Sequence, residues 1–102
     1  MPTLHLTDDA LLDLKDIRRY TTREFGAQQT KNYMARLREG LKTLRAHPEI
    51  GFSIDNLKPG FRCFQVEYHR IFYKSSDKVI AVVAILHESQ LPKRHLSQRK
   101  ES

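Results

Sequence analysis

Apolar and polar positions along the chain divide it into a helical first half and a strand-rich second half. Pro2–Leu6 alternates, with Thr3, His5 and Thr7 against Leu4 and Leu6, which predicts a short strand. Thr7, Asp8 and Asp9 then offer an N-cap and first-turn negative charge. Ala10, Leu14, Ile17, Thr21 and Phe25 follow at spacings of three or four, with Leu11 and Tyr20 widening the stripe, so a helix is expected up to Gly26. From Ala27 to Ala46 the same period returns in Thr30, Tyr33, Met34, Leu37, Leu41 and Leu44, with Lys31, Arg36, Arg38 and Lys42 pointing elsewhere. A break of one glycine predicts an antiparallel helical hairpin. Gly40 inside the second helix points to a neighbouring backbone packed close to it. His47-Pro48 ends the helix, because the residue before proline is pushed out of the α region.

The period then changes. Glu49–Pro59 shows none and reads as a loop. Phe61–Glu67 alternates, with Phe61, Cys63 and Gln65 on one side and Arg62, Phe64 and Val66 on the other. Ile71 and Phe72 centre the next strand, Ser75–Lys78 make a turn, and Val79–Leu86 is apolar at every position. Such a run predicts a strand covered on both faces. The expected fold is α+β: an N-terminal strand, an antiparallel helical hairpin, then a three-stranded antiparallel sheet, in the order β-α-α-β-β-β. At 102 residues the whole chain, 1–102, is expected to be one domain, with 92–102 a basic, loosely ordered tail.

Charge sharpens this picture. The formal net charge is +6, and it is unevenly placed. Lys93, Arg94, Arg99 and Lys100 against Glu101 leave +3 in the tail, and Lys58, Arg62, Arg70, Lys74 and Lys78 against Glu67 and Asp77 leave +3 in the strand region. An anionic partner would meet the sheet and the tail. The longest apolar run has eight residues, far short of the roughly 20 that span a bilayer. No signal-peptide pattern opens the chain, so no membrane association and a cytoplasmic location are expected.

Little conventional site chemistry is visible. His5, His47, His69, His87 and His95 are scattered and Cys63 is the lone cysteine, so no metal is expected. Cys63, among Phe61, Phe64 and Val66, reads as a small buried hydrophobe. No glycine-flanked serine, P-loop or dinucleotide fingerprint appears, and no cofactor is expected. What remains is a basic set, Lys58, Arg62, Arg70, Tyr73, Lys74 and His87, with Lys93 and Arg94 beyond it, as candidates for contacting a target or a phosphate. Arg62, Arg70 and His87 would suit a metal-free ribonuclease, which needs a base, an acid and cations for the phosphorane charge. The same residues would equally serve as solvated charges that protect strand edges.

Four stretches, LTDDALLDLKDIRRYTTREFG, LRAHPEIG, KPGFRCFQVEYHRIFYK and ILHESQLPKRHL, carry a resemblance over nearly the whole chain. They combine His-Pro-x-x-Gly, Gly-x-Arg, His-Arg-x-x-Tyr and a terminal Leu-His-Glu. In this combination the chain resembles the ParE-type toxins of the RelE/ParE toxin–antitoxin superfamily. It departs from the commoner ParE pattern at Gln90-Leu91. The resemblance implies a toxin that inhibits DNA gyrase without catalysis, blocks replication and is neutralised by a cognate antitoxin. RelE-like relatives imply the alternative, a ribosome-dependent mRNA endoribonuclease in which Arg62, Arg70 and His87 would be the catalytic positions and Glu49 or Glu67 the missing carboxylate. A third reading is an inactive relative that only binds antitoxin and represses its operon. In each case the partner expected is a small, acidic, partly disordered antitoxin, with Tyr33, Leu37, Leu41, Arg62 and Arg70 as candidates for binding it.

Overall fold

The computed structural model describes residues 2–100. The elements run β1 (Thr3–Leu6), α1 (Asp8–Ala46), β2 (Phe52–Ser53), β3 (Phe61–Val66), β4 (His69–Ser75), β5 (Val79–His87) and α2 (Pro92–Leu96). Thr7 caps α1, its side chain accepting from the Ala10 N–H at 3.2 Å, and Asp8 and Asp9 sit in the positive first turn.

The α1 segment is the expected hairpin. Straight, its 39 residues would run about 58 Å, yet the longest dimension of the molecule is 38 Å. The reversal is at Gly26, whose φ of 87° and ψ of 171° interrupt the helix. Thr22 Oγ1 donates to Thr30 Oγ1 at 3.0 Å across the bend, and Thr30 Oγ1 donates to the Gly26 carbonyl.

The sheet is larger than the pattern predicts. Its order is β1-β5-β4-β3-β2, with β3, β4 and β5 antiparallel, β1 parallel to β5, and β2 antiparallel to β3. The supposed loop Glu49–Pro59 therefore holds an edge strand; two residues are too few to show a period. The pairing of β4 with β5 slips between Phe72 and Tyr73, leaving Val83 as an extra, bulged residue.

Because β5 is apolar from Val79 to Leu86, both faces of the sheet are buried, as expected. On one face the hairpin packs Ala10, Ile17, Met34, Leu37, Leu41 and Leu44 against Ile71, Tyr73, Ile80, Val82 and Ile85. Gly40 does admit a close neighbour, but it is the Val66 side chain and not a backbone. The other face buries Phe61, Cys63, Phe72, Val83, Ala84 and Leu86 under Ile54 and Leu96.

Leu96 corrects the expectation of a loose tail. It is buried in the second core, and Arg99 lies against the sheet. Arg99 makes a two-point contact with Asp13 (Nη1–Oδ2 2.9 Å, Nη2–Oδ1 3.1 Å) and also donates to the Val83 carbonyl at 2.9 Å. Asp13 Oδ2 accepts from the Ile85 N–H at 2.8 Å. Together the pair satisfies backbone groups of β5 beyond Val82, where its pairing with β1 ends. Lys58 Nζ donates to the carbonyls of Leu96 and Arg99, so two of the basic residues hold the tail down. Glu101 and Ser102 of the predicted tail lie outside the described residues. No helix among the described residues is long and apolar enough to cross a membrane.

Candidate functional site

The two limbs of the hairpin and two strand ends define one open concavity. Tyr20 and Phe25 come from the first limb of the hairpin and Tyr33 and Arg36 from the second. Tyr68 and His69 come from the β3–β4 turn, and His87, Ser89 and Gln90 from the end of β5. They surround an open cleft of about 830 Å³. The turn is tight: Val66 pairs with His69, and Glu67 takes a positive φ of 54°, uncommon for a residue with a side chain. That geometry holds Tyr68 out from the sheet, while Glu67 meets Arg36 at 3.3 Å on the hairpin.

The polar groups of the cleft form one network. The Tyr68 N–H donates to Tyr33 Oη at 3.2 Å, and Tyr33 Oη lies 2.6 Å from His69 Nδ1. With its oxygen accepting from the Tyr68 N–H, the phenol is assigned as the donor to Nδ1, which puts the proton of the neutral imidazole on Nε2. Burial raises the Tyr33 pKa, despite the Tyr68 N–H that lowers it. Burial, helped by His87 nearby, depresses His69 to about 4, so this ring is neutral at pH 7. The His69 and His87 rings meet edge to face with centroids 5.4 Å apart. His87 Nδ1 accepts from the Ser89 N–H at 3.1 Å and contacts Ser89 Oγ at 2.7 Å, which leaves Nε2 as the ring nitrogen that carries a proton.

The basic residues singled out from the sequence do not converge. Register places Arg62 opposite Tyr73, and His87 opposite His69. Both are on the hairpin face, but four residues of β4, about 13 Å, separate their positions. Arg70, opposite Gln65, is on the other face with Cys63 and Phe72. Arg62 Nη1 donates to the Gly51 carbonyl at 2.7 Å, and Arg70 Nε approaches Gln65 Oε1 at 3.5 Å. Lys58 is occupied with the tail, Lys74 reaches over the Phe61 ring, and Lys93 and Arg94 are exposed on α2. Glu67 faces Arg36, and Glu49 lines a shallow depression with Arg62 near the end of the hairpin.

Three expected contact residues turn out to be interior. Tyr73 is fully buried; its hydroxyl donates to the Pro48 carbonyl at 2.8 Å and accepts from the Gly51 N–H at 3.0 Å. Leu37 and Leu41 belong to the core under the hairpin, so only Tyr33 of that trio reaches the cleft. Cys63 is buried as expected, and burial pushes its thiol up to about 11. Tyr20, Phe25, Tyr68 and the Asp13–Arg99 pair carried no sequence signal as a site. Among the described residues no group of three or more His, Cys, Asp or Glu is placed to hold a metal.

Comparison with known proteins bears on what this arrangement serves. Residues 4–92 match the family model described as the ParE toxin of the type II toxin–antitoxin system, parDE. The chain belongs to the ParE toxin family. Toxin ParE of Escherichia coli is 39% identical over 84 residues, spanning 81% of this chain and 82% of that one. Toxin ParE1 of Caulobacter vibrioides is 29% identical over 96 residues, 94% and 99% of the two chains. A solved chain from the chromosomal ParDE system of P. aeruginosa superposes with a TM-score of 0.75 at 21% identity, over 85% of this chain and 96% of that one, and so shares the fold. This ParE-type chain is thus the toxin component of a type II toxin–antitoxin pair, and an antitoxin is its partner. The family match stops at Pro92, so most of α2 and the Arg99 clamp lie beyond it.

Proposed function

We propose that this ParE-type toxin acts in the cytoplasm by binding DNA gyrase, trapping the enzyme on cleaved DNA and so blocking replication, and that it is not itself an enzyme. One observation carries the non-enzymatic part. Arg62 and Arg70 occupy opposite faces of the sheet, and His87 stands at the far end from Arg62. General acid–base cleavage of RNA needs the base, the acid and the phosphate-binding cations within hydrogen-bond reach of one phosphodiester. A protein that inhibits by binding needs only a stable surface.

The test mixes purified toxin with gyrase, ATP and supercoiled plasmid. Linear DNA should accumulate when the reaction is stopped with detergent and protease, in proportion to toxin and only with gyrase present. An unchanged supercoiling rate with no cleaved DNA would overturn the gyrase reading. Codon-positioned cuts in mRNA on translating ribosomes, lost in His87→Ala, would establish the ribonuclease in its place.

A further inference from the structure

β5 carries the sequence of a self-pairing strand, and only half of its outer edge is covered by another strand. Val79–Leu86 is apolar at every position, rich in valine and isoleucine, and free of charge, proline and glycine. That is the composition that pairs with copies of itself. On one side β4 covers β5 from Ile80 to His87. On the other, β1 reaches only from Val79 to Val82, and its last bond runs from the Thr7 N–H to the Val82 carbonyl at 3.0 Å. Beyond that point Val83–His87 has no neighbouring strand.

The backbone groups that this stretch turns outwards are closed by side chains instead. Ala84 and Leu86 face β4, in step with the Glu88 N–H that donates to the Tyr68 carbonyl, so Val83, Ile85 and His87 direct their groups away from it. Arg99 Nη1 donates to the Val83 carbonyl at 2.9 Å, Asp13 Oδ2 accepts from the Ile85 N–H at 2.8 Å, and Gln90 Oε1 accepts from the His87 N–H at 2.8 Å. The three side chains come from the tail, the hairpin and the segment after β5. Covering an edge in this way removes the pairing hazard that an open strand carries. The same backbone groups are those a two-fold contact would use. With Ile85 opposite its own counterpart, Val83 faces His87 of a second copy, and antiparallel pairs at these positions exchange N–H and C=O. No charge in Val83–Leu86 selects a polar partner, and the matching apolar strand is the one that a second copy carries.

We propose that Asp13, Arg99 and Gln90 guard the outer edge of β5 against a second copy of this chain. Releasing Arg99 turns Val83–His87 into a two-fold, antiparallel dimer contact. Arg99 is the removable part, because its segment is held by Leu96 in the second core and by Lys58 on the carbonyls of Leu96 and Arg99. Without Arg99, Asp13 loses the partner that fixes it over the Ile85 N–H. Neither gyrase nor the antitoxin enters this inference, so it stands or falls apart from the proposed target.

The test uses the full chain, separated from its antitoxin in urea, refolded, checked by a thermal melt and followed by sedimentation over a range of concentrations. Arg99→Ala should self-associate about tenfold or more tightly than wild type, the equivalent of one or two freed backbone hydrogen bonds, and reach twice the wild-type mass. Gly26→Ala is also destabilised, but away from this edge, and should associate no more than wild type. Asp13→Asn keeps an oxygen for the Ile85 N–H and gives up the ion pair. It should fall between wild type and Arg99→Ala, and it decides the question if Arg99→Ala does not fold. Hydrogen exchange places the contact: in the associating variant the Ile85 amide should exchange more slowly at high concentration than after dilution. The proposal is overturned if the folded variants associate no more than wild type, or if Gly26→Ala associates as tightly as Arg99→Ala. Association that leaves the Ile85 amide indifferent to concentration overturns it too, since the contact would then lie elsewhere.

Discussion

Tyr73 and His69 sit two registers apart on β4, on the same face, and have opposite fates. The Tyr73 hydroxyl is bonded on both sides by the chain that leaves the hairpin, so an aromatic residue with the look of a surface contact is a strut. His69 is held neutral, and that makes its environment sensitive to acid. Its folded pKa of about 4 lies below the ordinary 6.5, so between these values the unfolded chain binds more protons. The stability it contributes is fully present above pH 6.5 and is lost as pH falls towards 4. Full burial would imply a larger effect, but solvent reaches part of the ring, and about 1–2 kcal/mol is expected. Urea melts between pH 7 and pH 4 should show wild type losing this much more than His69→Gln, which keeps an acceptor for Tyr33. Parallel pH profiles for the two proteins would show that His69 is not the source.

Among the elements, the hairpin depends on one backbone conformation. Gly26, with φ near +87° and ψ near 171°, occupies a region that is essentially closed to residues with a Cβ. Nothing lies within 4 Å of where a Cβ would stand, so Gly26→Ala should cost only the backbone strain, about 1–3 kcal/mol. The measurement is a chemical denaturation midpoint with an unchanged m-value. A variant as stable as wild type would mean that the bend relaxes freely. The hairpin itself was legible in the sequence because nineteen or so residues of amphipathic period on each side of a glycine have few alternatives. Gly40 was half legible: a close approach was evident, but its partner Val66 lies on a strand whose register no local pattern encodes. The two-residue β2 and the parallel seat of β1 were not legible, since neither pairing follows from the neighbouring residues.

Across the whole molecule the basic tail closes the second face of the sheet. Asp13 and Arg99, 13% and 14% exposed, are separated by most of the chain, yet each also satisfies a backbone group of β5. The hydrogen bond to Asp13 raises the Arg99 pKa, with burial opposing it. Removing one partner of so enclosed a pair leaves the other charge unpaired, and Arg99→Ala should cost about 3 kcal/mol. A stop after Leu91 removes the buried Leu96 as well and should cost more. Equilibrium unfolding of both proteins checks this; a truncated chain with the wild-type midpoint would show that the tail is not a clamp.

By itself the sequence determined the α+β class, the hairpin, the buried last strand and the family, because all of these are written in local period and in short motifs. It also located the positive charge. The tertiary structure alone decided which charges share a surface. Alternation sends neighbouring residues of a strand to opposite faces, and register sets their distance along it, so Arg62, Arg70 and His87 were separated while Tyr20, Phe25, Tyr33, Tyr68, His69 and His87 were gathered around one cleft. Side-chain chemistry can be read residue by residue. Its convergence depends on pairings between distant segments, and those are settled only when the core packs.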